Sequence, residues 1–331
     1  MRRVRIAKFL LLPFALTAVV LVAGWTYQRI AESRDDRLFP PPGQRYSVNG
    51  RLMHIHCRGE GSPTVIVEQG IGGPSIDWNP VNDQMARITR VCDYDRAGMG
   101  YSEPAYEPTR AVDVARNLRD LLAAANIDDD LVFVAWSAGG IYAKEFFRQF
   151  PQRVKGMVLV DSTHEQTISR MPPAPSNQEN LDHLMRQYRL SQFGWLRFRG
   201  EIARQYADAP LPEADRNRLI AFFLKSHAYR TLADEGIGLE QDLALDAPPP
   251  SLGNMPLVVI AEGEPRHPYM KENLAKWHEL QRELAGLSTR GRLVIAENSA
   301  HFIHRTEPEL ILSAVREVVE SARASATTSP P

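Results

Sequence analysis

The sequence predicts an α/β fold, a mostly parallel sheet with helices on both faces. Two observations carry that reading. Short β-branched or apolar runs recur along the chain, among them Thr64–Glu68, Leu131–Trp136 and Val154–Val160. Between them lie stretches of helical periodicity, such as Val112, Ala115, Leu118 and Leu122 on one face. The 331 residues fit one large domain or two ordinary ones, and an apolar fraction of 44% supplies a buried core.

The N-terminal segment stands apart. Arg2, Arg3, Arg5 and Lys8 precede an uncharged apolar run from Phe9 to Trp25, and no acidic residue precedes Glu32. A basic flank before an apolar segment marks a signal peptide or a membrane anchor. At roughly 17 residues the run is long for a signal core and short for a spanning helix. Val22-Ala23-Gly24 makes a mediocre cleavage site, so an uncleaved anchor is expected, with a cleaved signal or a buried domain helix as alternatives. Either export reading puts the bulk of the chain outside the cytoplasm, periplasmic or extracellular, because the positive end stays inside. Phe39-Pro40-Pro41-Pro42-Gly43 reads as a stiff linker, which makes residues 1–44 an anchor and spacer.

The strands follow in order. Arg45–Val48 and Arg51–Cys57 flank Asn49-Gly50, a hairpin turn that adds an antiparallel strand at one edge. Thr64–Glu68 ends at Gly70-Ile71-Gly72-Gly73. Val91–Tyr94, Leu131–Trp136, Val154–Val160, Leu257–Ala261 and Leu293–Ala296 complete the set. Trp277, Leu280, Leu284 and Leu287 line a late helix, and Leu310, Ile311, Ala314 and Val318 line the last. The Ser/Thr/Ala/Pro-rich residues 323–331 read as a disordered tail.

One stretch breaks the rhythm. Roughly 95 residues between Asp161 and Leu257 contain no convincing strand, too many for a structureless loop. Pro172-Pro173-Ala174-Pro175 and Pro248-Pro249-Pro250 bracket helical patterns there. Residues 163–250 are therefore expected to form a helical cap inserted after the sixth strand, on a core of residues 45–162 and 251–322. Its aromatics Phe193, Trp195, Phe198, Phe222 and Phe223 are candidates for an apolar pocket, with core packing as the alternative.

Composition excludes some functions. The formal net charge is −1 and no basic block lies outside the extreme N-terminus, so nucleic acid is not an expected partner. The spacing of cysteines and histidines does not suit zinc, and Gly70–Gly73 lacks the full dinucleotide pattern. No metal or cofactor is expected. The two cysteines, Cys57 and Cys92, suggest a disulfide in an exported chain, with two small buried thiols as the alternative.

The most informative stretch is Val132-Phe133-Val134-Ala135-Trp136-Ser137-Ala138-Gly139-Gly140. A strand runs straight into Ser137 and a helix starts at once. Ala135 and Gly139 are small where strand and helix backbones pass closely, and the turn presents the hydroxyl. This stretch resembles the nucleophile elbow of the α/β-hydrolase superfamily, with Ala135 in place of the usual first glycine. Three further segments are similar to the same family in the same order. Asp95–Ser102 resembles the loop after its fourth strand. Gln69–Gly73 resembles its oxyanion loop, with Gln69 where the family usually has histidine. Ser299-Ala300-His301 resembles the segment that carries the catalytic base.

The resemblance implies an eight-stranded hydrolase fold with Ser137 as nucleophile and His301 as base. His304 would face elsewhere, and His54, His56 and His164 read as structural or surface residues. The family usually places an Asp after the seventh strand, but no aspartate follows Asp246. The acid is then Asp161, at the end of the sixth strand as in haloalkane dehalogenases, or Glu264 after the seventh; Asp161 is favoured. As a bland alternative, Asp161 is a helix cap or loop anchor. The backbone N–H groups of Ala138 and Ile71 would form the oxyanion hole. Gly70, Trp136, Phe222 and Phe223 are the candidates for substrate contact. The family's second strand lies antiparallel beside its fourth, which would set Cys57 against Cys92 as a disulfide. The function implied is hydrolysis of a small apolar carboxylic ester through an acyl-enzyme. Amide or C–C bond cleavage, acyl transfer, haloperoxidase-like chemistry and a non-catalytic binding module are the alternatives.

Overall fold

A computed structural model describes residues 2–128, 130–172 and 177–328. Its eight strands are β1 (Gln44–Val48), β2 (Arg51–Arg58), β3 (Thr64–Glu68), β4 (Val91–Tyr94), β5 (Leu131–Trp136), β6 (Val154–Val160), β7 (Leu257–Glu262) and β8 (Gly291–Ala296). They form one sheet in the order β1-β2-β4-β3-β5-β6-β7-β8. The β1–β2 and β2–β4 pairs are antiparallel and the rest are parallel. The central strands β3, β5 and β7 are buried along their whole length. That is why they read as continuous apolar runs: helices cover both faces.

The chain opens with α1 (Arg2–Leu38), and the first core helices are α2 (Asn79–Met85), α3 (Ala111–Ala124) and α4 (Gly139–Gln149). The cap supplies α5 (Thr167–Arg170), α6 (Asn177–Ser191), α7 (Trp195–Arg199), α8 (Glu201–Gln205), α9 (Glu213–Phe223) and α10 (Ala228–Leu243). The chain closes with α11 (Pro268–Ala285), α12 (Ile303–Thr306) and α13 (Pro308–Thr328). Alternate residues of each strand feed alternate faces. Ile66, Phe133, Leu159 and Val259 pack with α3, α4 and α11, whereas Val65, Val134, Val158 and Val258 pack with α2 and α13. The cap has its own small core of Leu196, Leu219, Phe222, Phe223 and Tyr229.

Two boundaries depart from the sequence expectation. The Pro-rich residues 39–43 join α1 to β1, but α1 does not stand away from the domain. The helix continues past the apolar run to Leu38, and its charged half docks on the cap, where Gln28 is fully buried. Polar residues there satisfy the cap's backbone rather than water. At the other end, residues 323–328 extend α13 instead of forming a disordered tail. Arg323 donates from Nε to the Ser62 carbonyl at 2.8 Å, which ties that turn to the core. Residues 329–331 lie outside the described residues.

Antiparallel pairing of β2 with β4 sets Cys57 directly opposite Cys92, and the two form a disulfide with an S–S distance of 2.06 Å. The sequence separation is 35 residues. Chain-entropy arguments give a closed loop of that size about 4 kcal/mol of stabilisation. Replacing both cysteines with serine is expected to lower the unfolding free energy by about that amount. Urea unfolding of the variant against the oxidised parent measures it, and coincident curves would refute it.

Candidate active site

Ser137 follows β5 directly and is separated from α4 by Ala138 alone. Its φ of +56° is a conformation that residues with a side chain rarely adopt. Three backbone hydrogen bonds hold it. The Ser137 N–H donates to Val160 O at 3.1 Å, and the Ser137 carbonyl accepts from Thr163 at 2.9 Å and Gly140 at 3.1 Å. The turn works only with small neighbours. A Cβ on Gly139 would sit 2.3 Å from the Glu68 carbonyl oxygen. One on Gly70 would sit 2.9 Å from Ser137 Cβ, so Gly70 packs behind the serine.

His301 lies between β8 and α12. Its Nδ1 is 2.6 Å from Asp161 Oδ2. With Nδ1–H donating to the carboxylate, the neutral ring presents the Nε2 lone pair. Trp136, beside Ser137, donates from Nε1 to the His301 carbonyl at 2.9 Å, and the two rings are 5.0 Å apart. Trp136 thus seats the histidine against the serine turn. Among the described residues no hydrogen bond joins Ser137 Oγ to His301, a contact that commonly tightens only with substrate bound.

Asp161 directly follows β6 in a left-handed conformation, φ +43°, and is buried. Its other oxygen, Oδ1, accepts from Trp277 Nε1 at 2.7 Å and from the Glu262 N–H at 3.1 Å. Both carboxylate oxygens are therefore engaged, and the group has one fixed orientation toward His301. The alternative acid is not placed there: Glu264 is exposed, with its backbone N–H on the Ser299 carbonyl at 2.9 Å. That hydrogen bond turns the chain after β7 so that the Glu264 side chain meets solvent.

The carboxylate that sequence reasoning missed is Glu262. It is the last residue of β7, buried beside Asp161. Burial, and then the Asp161 charge, push its carboxyl up to about 7. The signal was an acidic residue closing the otherwise apolar run Leu257–Ala261. Burial lowers the basicity of His301, but the hydrogen bond and charge of Asp161, with the charge of Glu262, outweigh it and raise the imidazole above its ordinary value. His304 belongs elsewhere: it is buried, stacks on Trp78 at 4.4 Å and pairs with Asp77 at 3.1 Å. His54 is likewise structural, paired with Asp95 at 2.8 Å in the protein interior.

The Gln69–Gly73 loop is clamped from two sides. Arg96 donates to the carbonyls of Gln69 at 2.8 Å and Gly70 at 2.7 Å, and to Glu68 at 2.8 Å. Glu235 of the cap accepts from the Gly72 N–H at 2.8 Å and from Arg96 Nε at 2.7 Å. This network is buried, so its hydrogen bonds are strong and its geometry is rigid. Neither amide atom of Gln69 has a partner among the described residues. Ala138 precedes α4, where the first helical N–H groups have no acceptor within the helix.

A cavity of ≈ 830 Å³ opens above the turn, between core and cap. Ile71, Trp136 and Phe302 form its floor, and Leu219, Phe223 and Tyr229 part of its walls. Of the aromatic candidates, Trp136 and Phe223 line it. Phe222 does not; it is consumed by the cap core at 2% exposure. Phe193 and Phe198 are exposed on the outside of the cap. The volume suits a medium-sized organic molecule in a mixed apolar and polar setting.

A family model described as the Alpha/beta hydrolase family matches residues 65–314. An uncharacterized protein of Schizosaccharomyces pombe is 24% identical over 323 residues, 86% of this chain; the chain spans 57% of that relative's length. A thermophilic esterase from Thermogutta terrifontis superposes with a TM-score of 0.61 at 19% identity, over 85% of this chain and 99% of the esterase. A bacterial membrane phospholipase A superposes with a TM-score of 0.59 at 17% identity, over 98% of this chain and 99% of its own.

Proposed function

The chain belongs to the α/β-hydrolase family, and from that premise we propose that it is a serine hydrolase cleaving a carboxylic ester through an acyl-enzyme on Ser137. The observation that carries the reading is the His301–Asp161 pair at 2.6 Å, whose histidine is tied to Trp136, the cavity-lining residue that directly precedes Ser137 on its strained turn. Asp161 holds the Nδ1–H tautomer, and His301 Nε2 takes the proton as Ser137 Oγ attacks the ester carbonyl. The N–H groups of Ala138 and Ile71 receive the oxyanion, a contribution of roughly 3 kcal/mol per donor. The alcohol departs with the proton from His301. Water, activated by the same ring, then releases the acid and restores Ser137. Structural neighbours that include an esterase support an ester substrate, and the partly apolar walls favour an apolar acyl group.

Residues 9–25 of α1 serve as a membrane anchor in this proposal, with the catalytic domain outside the cytoplasm. Phe14, Leu16, Val19, Val20 and Val22 are all exposed along the helix, as a lipid-facing segment would be. The disulfide supports an oxidising compartment. The test of the enzymatic reading is labelling with a fluorophosphonate probe, together with a p-nitrophenyl ester series of increasing chain length. Covalent label on Ser137 and turnover of these esters are expected; folded protein that takes no label would instead be a binding module.

The pH profile gives a second check. The rate falls as pH drops through the raised pKa of His301, because the protonated ring cannot act as base. Glu262→Gln removes a negative charge that favours the protonated ring. The acid limb of kcat/KM is therefore expected to move to lower pH in that variant. An unmoved limb, or a shift to higher pH, would show that Glu262 does not act on His301.

A further inference from the structure

The docking of α1 on the cap has a consequence for where the cavity opens. Gly24 is the next-to-last residue of the apolar run of α1, and a Cβ there would lie 2.8 Å from the Phe193 carbonyl oxygen. One on Gly194 would meet the Tyr27 ring at 2.6 Å. The helix and the turn before α7 are thus packed backbone to backbone. A buried polar knot locks the next two turns. Gln28 donates to the Leu224 carbonyl at 2.7 Å and accepts from Arg197 Nε at 3.0 Å. Glu32 accepts from the Ser226 N–H at 2.5 Å, and Arg197 meets Asp35 at 2.6 Å. Breaking such buried charged contacts is costly, so α1 and the cap move as one body.

That body carries an aromatic cluster at one level. Phe193 is 40% exposed, Trp195 43% and Phe198 78%, beside Trp25 at 49% and Tyr27 at 53% on α1. Single exposed apolar side chains are ordinary; five aromatics around the end of a hydrophobic helix are not. Tryptophan and tyrosine gather where hydrocarbon gives way to water. The same face bears an opening. His183, Gln187, Leu196 and Glu201 line both the large cavity and an outer cleft of ≈ 270 Å³, and the cleft reaches Trp195.

We propose that the cap segment 193–199 is a bilayer-contact surface, and that the cavity receives its ester from the lipid phase through the cleft beside Trp195. This rests on the reading of residues 9–25 as a membrane span. With that segment in hydrocarbon, Gly24 lies at the boundary and Phe193, which touches it, lies at the same depth. The substrate class is an acyl ester resident in the bilayer, its chain drawn along Leu196 toward Phe223 and Ser137.

The test uses the full chain reconstituted in phosphatidylethanolamine–phosphatidylglycerol vesicles. Both native cysteines are in the disulfide, so one introduced cysteine takes a polarity-sensitive fluorophore uniquely. Phe198→Cys labelled in this way is expected to shift to the blue on reconstitution and to be quenched by spin-labelled lipid, as is Leu16→Cys. Quenching at 16 but not at 198 would overturn the proposal and leave the span intact; no quenching at 16 would overturn the span, and the proposal with it. Phe193→Ser/Phe198→Ser is expected to lose about tenfold in hydrolysis of a vesicle-borne long-chain ester while p-nitrophenyl acetate turnover stays within about twofold. Unchanged hydrolysis of the vesicle-borne ester would also overturn it, and loss of turnover in Ser137→Ala separately checks the hydrolase reading.

Discussion

Ser137→Ala is expected to reduce kcat/KM for p-nitrophenyl esters by roughly 10⁵-fold, or about 7 kcal/mol of transition-state stabilisation. The residual rate would come from binding and the oxyanion donors, which the substitution leaves in place. Fluorophosphonate labelling should vanish together with turnover. Stability should not fall, because alanine tolerates the +56° φ no better and no worse than serine does. Ser137→Gly makes a sharper comparison. Glycine adopts that φ without strain, so this variant should lose activity and gain about 1 kcal/mol of stability. A Ser137→Ala protein that keeps its rate within tenfold would remove the proposed nucleophile.

Asp161→Asn is expected to cut kcat by roughly 10³- to 10⁴-fold with KM nearly unchanged. The amide oxygen still accepts from Trp277 Nε1 and from the Glu262 N–H, since both are donors facing Oδ1. The amide NH₂ then faces His301 and can only donate. The ring must accept at Nδ1, which places its proton on Nε2 and removes the base from Ser137. Glu264→Gln is the control: it alters an exposed side chain and should turn over at the parental rate. If Glu264→Gln lost the activity and Asp161→Asn kept it, the acid would have to be reassigned.

The strands were legible because a sheet covered on both faces demands continuous apolar runs, and Val132–Trp136 or Val154–Val160 have no other use for theirs. The facing of Cys57 and Cys92 was legible through the family resemblance, which supplies strand order that local pattern cannot. Asp161 against Glu264 was harder. Both follow strands that end on the same side of the sheet, and the difference lies in two donors, Trp277 and the Glu262 N–H, that come from other elements. Phe222 and Phe223 are adjacent and alike in type and both belong to the cap core, so only packing decides that Phe223 also has a face on the cavity. The charged half of α1 was the least legible part. Gln28, Glu32 and Asp35 read as a solvated stretch because their partners Arg197, Leu224 and Ser226 lie far along the chain.

That distance also orders the protein's birth. Gln28 and Leu224 are 196 residues apart. At synthesis rates of about 5–20 residues per second, α1 waits roughly 10–40 s before its seat on the cap has been made. During that interval its polar side chains have only water or lipid headgroups for company. All of α1 is made long before the cap exists, and β8 with His301 is made later still. A nascent chain stalled between residues 38 and 190 should therefore hold all of α1 and lack both its seat on the cap and the proposed base, His301.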